Sequence, residues 1–230
     1  MAAAASSSIP PVSGTGDGAP DASTAHGGTA GHRPTRREQS LQSRNRILQA
    51  ALAEFAEHGF EGASIRSIAR RADVQYQLIS YYYRTKDVLW HAVAEDAFTG
   101  IRAAWDAYDD LPSSPIDRLR GQYFIYFEFA TGQPDFHPFL LQEMRTGSPR
   151  YEWVWGNYIS PLFKRLVPDI EACQRSGQLP DVDPVTIHLM LIGAISTLIA
   201  HILSEKPRPT KAALTAAWHA VEYSLLPLAR

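Results

Sequence analysis

Between Gln75 and Tyr83 the chain reads Gln-Tyr-Gln-Leu-Ile-Ser-Tyr-Tyr-Tyr, a run rich in side chains that donate and accept hydrogen bonds. Placed on a helix, it sorts into two opposed faces. Tyr76 stacks with Ser80 and Gln77 with Tyr81 on one side; Leu78 stacks with Tyr82 and Ile79 with Tyr83 on the other. A glutamine pairs bidentately with adenine, and a tyrosine offers a hydroxyl to a base edge or phosphate and a ring to a thymine methyl. The first face therefore carries the chemistry of base reading. Lys86 differs in kind, because a point charge on phosphate adds affinity and salt dependence without sequence information.

The elements that must hold this face are legible upstream. Leu41, Leu48, Leu52 and Phe55 recur at helical spacing, with Ile47 and Ala51 beside them, so Leu41 to His58 is expected to be an amphipathic helix closed by Gly59. Ser64 can cap a second helix whose buried stripe is Ile65, Ile68, Ala69 and Ala72, with Arg66, Arg70 and Arg71 outward. Asp73 falls where the chain must turn in a left-handed conformation, and Val74 fills the angle between two helices.

The order Ile47 to Phe55, Gly59, Ser64-Ile65, Ile68-Ala69, Val74, Leu78-Ile79-Ser80-Tyr81-Tyr82-Tyr83 and Lys86-Asp87 with Leu89 resembles the DNA-binding domain of the tetracycline-repressor (TetR) family. The resemblance implies a helix-turn-helix whose second helix enters the major groove. It puts Tyr76, Gln77 and Tyr81 on base-contacting positions, and Ser64, Gln75, Ser80, Tyr82 and Lys86 on phosphate-contacting ones. Asp73 stands where the family usually has Gly, and Gln75 where it usually has a Ser cap. By the same resemblance the chain is expected to be a transcriptional regulator, with repression as the first reading and activation left open. It binds a palindromic double-stranded DNA operator as a homodimer and is released or recruited by a small-molecule effector.

Net charge over the 230 residues is only -2, but ten Arg and Lys face six acids between Arg33 and Trp90. A basic head thus sits on an acidic body. We read residues 1–35 as a disordered tail, poor in anything that could repay ordering. Residues 36–88 are the helix-turn-helix domain and 89–230 the effector-binding and dimerisation domain. Arg33, Arg36 and Arg37, at the end of the tail, can reach phosphates or the minor groove. Cys173 is the only cysteine, which excludes an intrachain disulfide and a cysteine zinc cluster and suits a reducing cytoplasm. The most apolar stretch, Ile187 to Leu203, is interrupted by His188, Ser196, Thr197 and His201 and reads as a buried helix of a soluble protein.

Beyond Leu89 the pattern is helical throughout, so the fold class is all-α. Ser114-Pro115 and Asp183-Pro184 start helices, and Gly132-Gln133-Pro134 and Gly177 end them. Pro161 and Pro168 predict kinks or a break within Tyr151 to Ser176. The family resemblance places the dimer interface on that helix and on Val185 to Leu203, where Leu189, Ile192, Ile195, Ile199 and Leu203 are apolar, Gly193 permits close approach and Ser196 lies alongside. Trp105, Tyr123, Phe127, Phe139, Trp155 and Tyr158, with Glu143, are candidates for an aromatic effector pocket.

No enzyme signature competes. His137, His188, His201 and His219 match no ligand spacing, and no nucleophile elbow, phosphate loop or dinucleotide fingerprint occurs. No cofactor and no metal are expected. The other reading is an all-α protein-interaction module without DNA sequence specificity.

Overall fold

The structure, a computed structural model, describes residues 35–109, 114–146 and 148–225. The tail expected before residue 35, and Arg33 with it, lies outside the described residues. Among the described residues the chain forms α1 (Arg36–Gly62), α2 (Ile65–Arg71), α3 (Tyr76–Tyr82), α4 (Lys86–Asp109), α5 (Pro115–Gly132), α6 (Phe136–Thr146), α7 (Pro149–Val154), α8 (Ser160–Arg175), α9 (Pro184–Ser204) and α10 (Lys211–Leu225), with no strand. The fold is all-α.

α1 begins earlier than its apolar periodicity indicates. Thr35 caps it, its hydroxyl accepting from the Glu38 amide while the Glu38 carboxylate accepts from the Thr35 amide. Arg36 and Arg37 are therefore exposed residues of the first helical turn, not part of a loose tail. At the other end Gly59 breaks the helix at φ 65°, ψ 177°, a region closed to other residues.

The head core is built from Ile47, Ala51 and Phe55 of α1, Ile68 of α2, Ile79 of α3 and Leu89 of α4, all buried. Asp73 adopts φ 52° at the turn between α2 and α3. The buried carboxylate of Glu54 fixes α2 from α1, accepting from the Ser67 hydroxyl at 2.9 Å and the Ser64 amide at 3.4 Å. An acid inside an apolar core is costly unless its oxygens are satisfied, so Glu54 sets the angle of α2.

α1 packs against both α4 and α6, which joins the head to the rest of the chain. Phe139 of α6 lies between Phe55 and Trp90, with ring centroids 6.5 and 5.4 Å away. In the body α5 contacts α4, α8, α9 and α10, and Arg118 of α5 pairs with the Asp169 carboxylate of α8. Pro161 does not simply kink the chain. A π-helical turn, Trp155–Ile159, precedes it, with the Ser160 amide reaching back to the Trp155 carbonyl. α8 then runs through Pro168 unbroken and stops where Gly177 takes φ 73°. α9 is long and apolar enough to pass for a membrane span by composition, yet only 28% of that stretch is buried in the chain. Expected as a buried helix, it instead presents much of its surface outward.

Because Gly59 occupies a backbone region that L side chains avoid, Gly59→Ala is expected to lower stability by about 1–3 kcal/mol, measured as a shift of the urea midpoint at unchanged slope.

Candidate nucleic-acid interface and body cavity

α3 is seven residues long and presents the two faces that its residue types suggest. Ile79 and Tyr83 are buried, and Leu78 and Tyr82 half-buried, on the inner side. Gln75, Tyr76, Gln77, Ser80 and Tyr81 are exposed on the outer side, Tyr81 by 79%. The flanking side chains brace this helix. The Tyr82 hydroxyl bonds the Ser40 hydroxyl at 2.8 Å, and Arg44 donates to the Tyr83 hydroxyl at 3.3 Å. Gln75 stands at the N-cap without a side-chain cap bond, so its amide is available to a partner. Ser64 caps α2 through the Ser67 amide at 3.5 Å, and the Ser80 hydroxyl donates back to the Tyr76 carbonyl at 3.4 Å.

The head also carries exposed positive charge. Arg36, Arg37, Arg66, Arg70 and Arg84 are exposed and form no ion pair with another described residue, whereas Arg71 is bound to Glu57 at 2.7 Å. Lys86 is more constrained than its sequence position suggests. Its ammonium donates to the carbonyls of Phe60, Glu61 and Ala63 at 2.6, 3.3 and 3.2 Å and lies 4.5 Å from the Phe60 ring centre. All three of its donors are thus occupied. A phosphate would compete with the two longer bonds.

The body contains a cavity of about 300 Å³ bounded by α4, α5, α6, α8 and α9 and by the α7 segment. Of the expected pocket residues, Trp105, Tyr123 and Trp155 line it. The others serve elsewhere. Phe127 packs on Trp218 of α10, Phe139 belongs to the contact with α1, and Tyr158 stacks on Phe98 with ring centres 4.8 Å apart. Glu143 is buried at the corner between α6 and α7, accepting from the Ser148 hydroxyl and from Arg150 at 3.2 Å.

The residues expected at a dimer interface divide as well. Leu189, Ile192, Gly193 and Ser196 lie along the cavity, Leu189 and Gly193 being exposed. Ile195 and Ile199 are fully buried inside this chain, on the side of α9 that meets α5 and α8, and cannot face a partner.

Tyr123 is an expected pocket residue, but the histidines and the serine that pair with the cavity's tyrosines do not stand out as pocket residues in the sequence. The Tyr123 hydroxyl bonds His188 Nδ1 at 2.9 Å; the Tyr126 hydroxyl bonds His137 Nδ1 at 3.1 Å and meets the Ser196 hydroxyl at 3.4 Å. Burial pushes the His188 imidazole down to about 4 and drives the Tyr123 phenol up. Burial also lowers His137, opposed by the Ser196 carbonyl. Only the i, i+3 and i, i+4 relations within one helix are visible in a sequence, and these pairs span α5 to α6 and α5 to α9. No group of three His, Cys, Asp or Glu among the described residues could hold a metal.

Known proteins share this geometry. Residues 47–93 match the family model described as bacterial regulatory proteins, tetR family. The chain is 25% identical over 145 residues to the HTH-type transcriptional regulator RutR of Escherichia coli K12, covering 63% of this chain and 68% of that one. It is 40% identical over 74 residues to the HTH-type transcriptional repressor SCO4008 of Streptomyces coelicolor, covering 32% and 38%. The crystal structure of the TetR family transcriptional regulator PfmR of Thermus thermophilus superposes with a TM-score of 0.63 at 18% identity, over 80% of this chain and 100% of that one, which shows the shared fold. An outward-facing α3 on a helix-turn-helix, followed by a helical body, is the architecture of a DNA-binding transcriptional regulator. Residues 47–93 are a TetR-family DNA-binding domain, and the whole chain shares the fold of TetR-family regulators.

His188 is neutral in the folded chain down to about pH 4, whereas in the unfolded chain it takes a proton near 6.5. The unfolded state binds the extra proton in that window, so stability rises with pH from about 4 to 6.5 and is level above it for this group. The gap corresponds to roughly 3 kcal/mol at most. Chemical unfolding between pH 4 and 7 is expected to show a shallower rise for His188→Gln than for the parent; identical profiles would contradict the assignment.

Proposed function

We propose that the chain is a ligand-responsive repressor that binds a palindromic double-stranded DNA operator as a homodimer and that the effector occupies the body cavity. The observation that carries the DNA reading is the outer face of α3. Tyr76, Gln77 and Tyr81 are large or bidentate side chains turned outward, Tyr81 touching the Tyr82 ring edge-on at 5.4 Å between centroids, an arrangement that suits a major groove better than a core. On this reading Gln75, Ser64, Ser80 and Tyr82, with Arg36 and Arg37, meet phosphates on either side, and Lys86 joins them if a phosphate draws it from the Glu61 and Ala63 carbonyls. The repressor sign follows the names of relatives such as SCO4008. A bacterial cytoplasm is the natural location.

We assign the dimer interface to α9 and α10 rather than to α8 and α9. Val185, Leu189 and Met190 of α9 and Tyr223 of α10 are exposed large apolar residues, with Gly193 and Ala194 allowing close approach. The outward residues of α8 include Lys164, Glu171 and Arg175. A two-fold axis there relates two copies of α3 at about 34–36 Å, one DNA turn.

The effector signal has a short route. Tyr151 and Met144 line the cavity, and Arg150, next to Tyr151, lies 3.7 Å from the Phe60 ring centre and 3.9 Å from Glu61 at the end of α1. A ligand that moves the start of α7 alters the head through that contact.

Selection of bound sites from random DNA is the deciding experiment. We expect an inverted repeat with half-sites about 10 base pairs apart, centre to centre. Gln77→Ala and Tyr81→Ala are expected to cost about 1–3 kcal/mol each on the selected site and to relax its base preference. Arg36→Ala with Arg37→Ala weakens all sequences alike and lowers the salt slope. Equal losses on every sequence from all four substitutions would leave α3 without its reading role.

A further inference from the structure

None of the residues lining the body cavity is Asp, Glu, Lys or Arg. Arg165, whose guanidinium lies 5.9 Å from the Trp105 ring centre, is held by Asp106 at 2.7 Å and is not a lining residue. Apart from Tyr151 and the indoles of Trp105 and Trp155, the polar side chains of the wall are Tyr123, Tyr126, His137, His188 and Ser196.

Those five form two networks, and each network leaves one imidazole nitrogen over. A phenol is the better donor and an imidazole nitrogen the better acceptor, so we assign the tyrosine protons toward Nδ1 and the ring protons to Nε2. His137 Nε2 is the informative one. His137 is 1% exposed, and Nε2 has no hydrogen-bond partner. The Ser196 carbonyl is near enough to act on the ring's charge but not in hydrogen-bond geometry. A buried N–H without an acceptor is costly and is expected to find one. His188 is only half-buried; its Nδ1 meets the Tyr123 hydroxyl and its ring packs on Tyr123 and Phe163.

Resting on the reading of this cavity as the effector site, we propose that it takes an uncharged, mainly apolar ring compound carrying a neutral oxygen acceptor, a ketone, ester or ether, that accepts the His137 Nε2 proton. An anion is disfavoured because its burial needs a countercharge, and the wall offers none. A cation finds aromatic faces but no carboxylate. At about 300 Å³ the space suits a bicyclic compound better than a large polycyclic one.

Three probes of one shape test this in the full chain by calorimetry at pH 7.5: 2-acetonaphthone, 2-naphthoate and 2-ethylnaphthalene. The ketone is expected to bind with one site per chain, about tenfold more tightly than the ethyl compound, which lacks the acceptor, and at least about tenfold more tightly than the carboxylate. His137→Phe is expected to bring the ketone to the level of ethylnaphthalene while leaving ethylnaphthalene nearly unchanged, the latter serving as a check that the cavity still forms. If His137→Phe does not fold, the ranking of the probes on the parent chain decides alone. Naphthoate binding as well as the ketone, ethylnaphthalene matching it, or no binding by any probe overturns the inference. Failure of the wider reading looks different. A ketone that binds with this ranking but leaves affinity for the selected DNA unchanged removes effector responsiveness and leaves the ligand class standing, whereas a carboxylate that binds and releases DNA does the reverse.

Discussion

The end of α1 is the constraint on which both halves of the chain depend. A helix leaves its last carbonyls without amide partners, and Gly59 makes this end abrupt by turning the backbone out of the helix before Phe60. Lys86, the first residue of α4, meets the carbonyls of Phe60, Glu61 and Ala63, and its charge lies over the Phe60 ring. Arg150 approaches the same ring from α7, tied at its other side to the buried Glu143. The two cations are not equivalent. Charge-assisted hydrogen bonds to carbonyls contribute about 1.5–3 kcal/mol each and an exposed cation–π contact about 0.5–1. Lys86 therefore fixes α4 to α1, and Arg150 is the hold that a modest displacement can release.

This junction also explains why the head is not an independent lobe joined by a linker. Gln142 of α6 donates to the Ala56 carbonyl at 3.3 Å, and Phe139 fills the space between Phe55 and Trp90. A helix–turn–helix of three short elements buries little by itself; α6 lends it part of its core. What remains outward on α3 is consequently little used in holding the head together.

The legible and illegible parts of this molecule divide by range of interaction. The outward face of α3, the left-handed turn at Asp73 and the stops at Gly59 and Gly177 follow from relations within four residues, and each is readable in the sequence. The early start of α1 escapes the same reading although it is equally local, because the Thr35–Glu38 capping box precedes the apolar periodicity that marks the helix. Pro161 is readable as a disturbance but not as a π-turn, since a proline's missing donor does not specify which register the preceding turn takes. The pocket and the interface are the least legible. Aromatic type alone does not separate Trp155, which lines the cavity, from Phe127 and Phe139, which fill cores, and apolar type alone does not separate Leu189 from Ile195 on the same helix. Tyr123 with His188 and Tyr126 with His137 become pairs only when α5 meets its neighbours.

Head and body consequently work by different physics, and α4 has to translate between them. The head offers exposed charge and hydrogen-bonding groups, whose interactions are sensitive to salt; the cavity has no formally charged lining residue and offers shape and a few neutral donors. A ligand shifts an equilibrium only by as much as it prefers one state, so an uncharged ligand must act by displacing walls rather than by adding a charge. α4 offers the wall in question, since Phe98, Ile101 and Trp105 line the cavity while Lys86 begins the same helix. At 1.5 Å per residue, Ile101 stands about 22 Å from Lys86, so a tilt of about 5° moves the Lys86 end by roughly 2 Å. That is comparable to the displacement at which a hydrogen-bonded base contact is lost, and in a two-fold pair it is applied to both heads at once. On the proposed reading of the cavity as an effector site, a small, neutral ligand is therefore adequate to change DNA binding, provided that α4 remains fastened to α1 through Lys86 and carries the head with it.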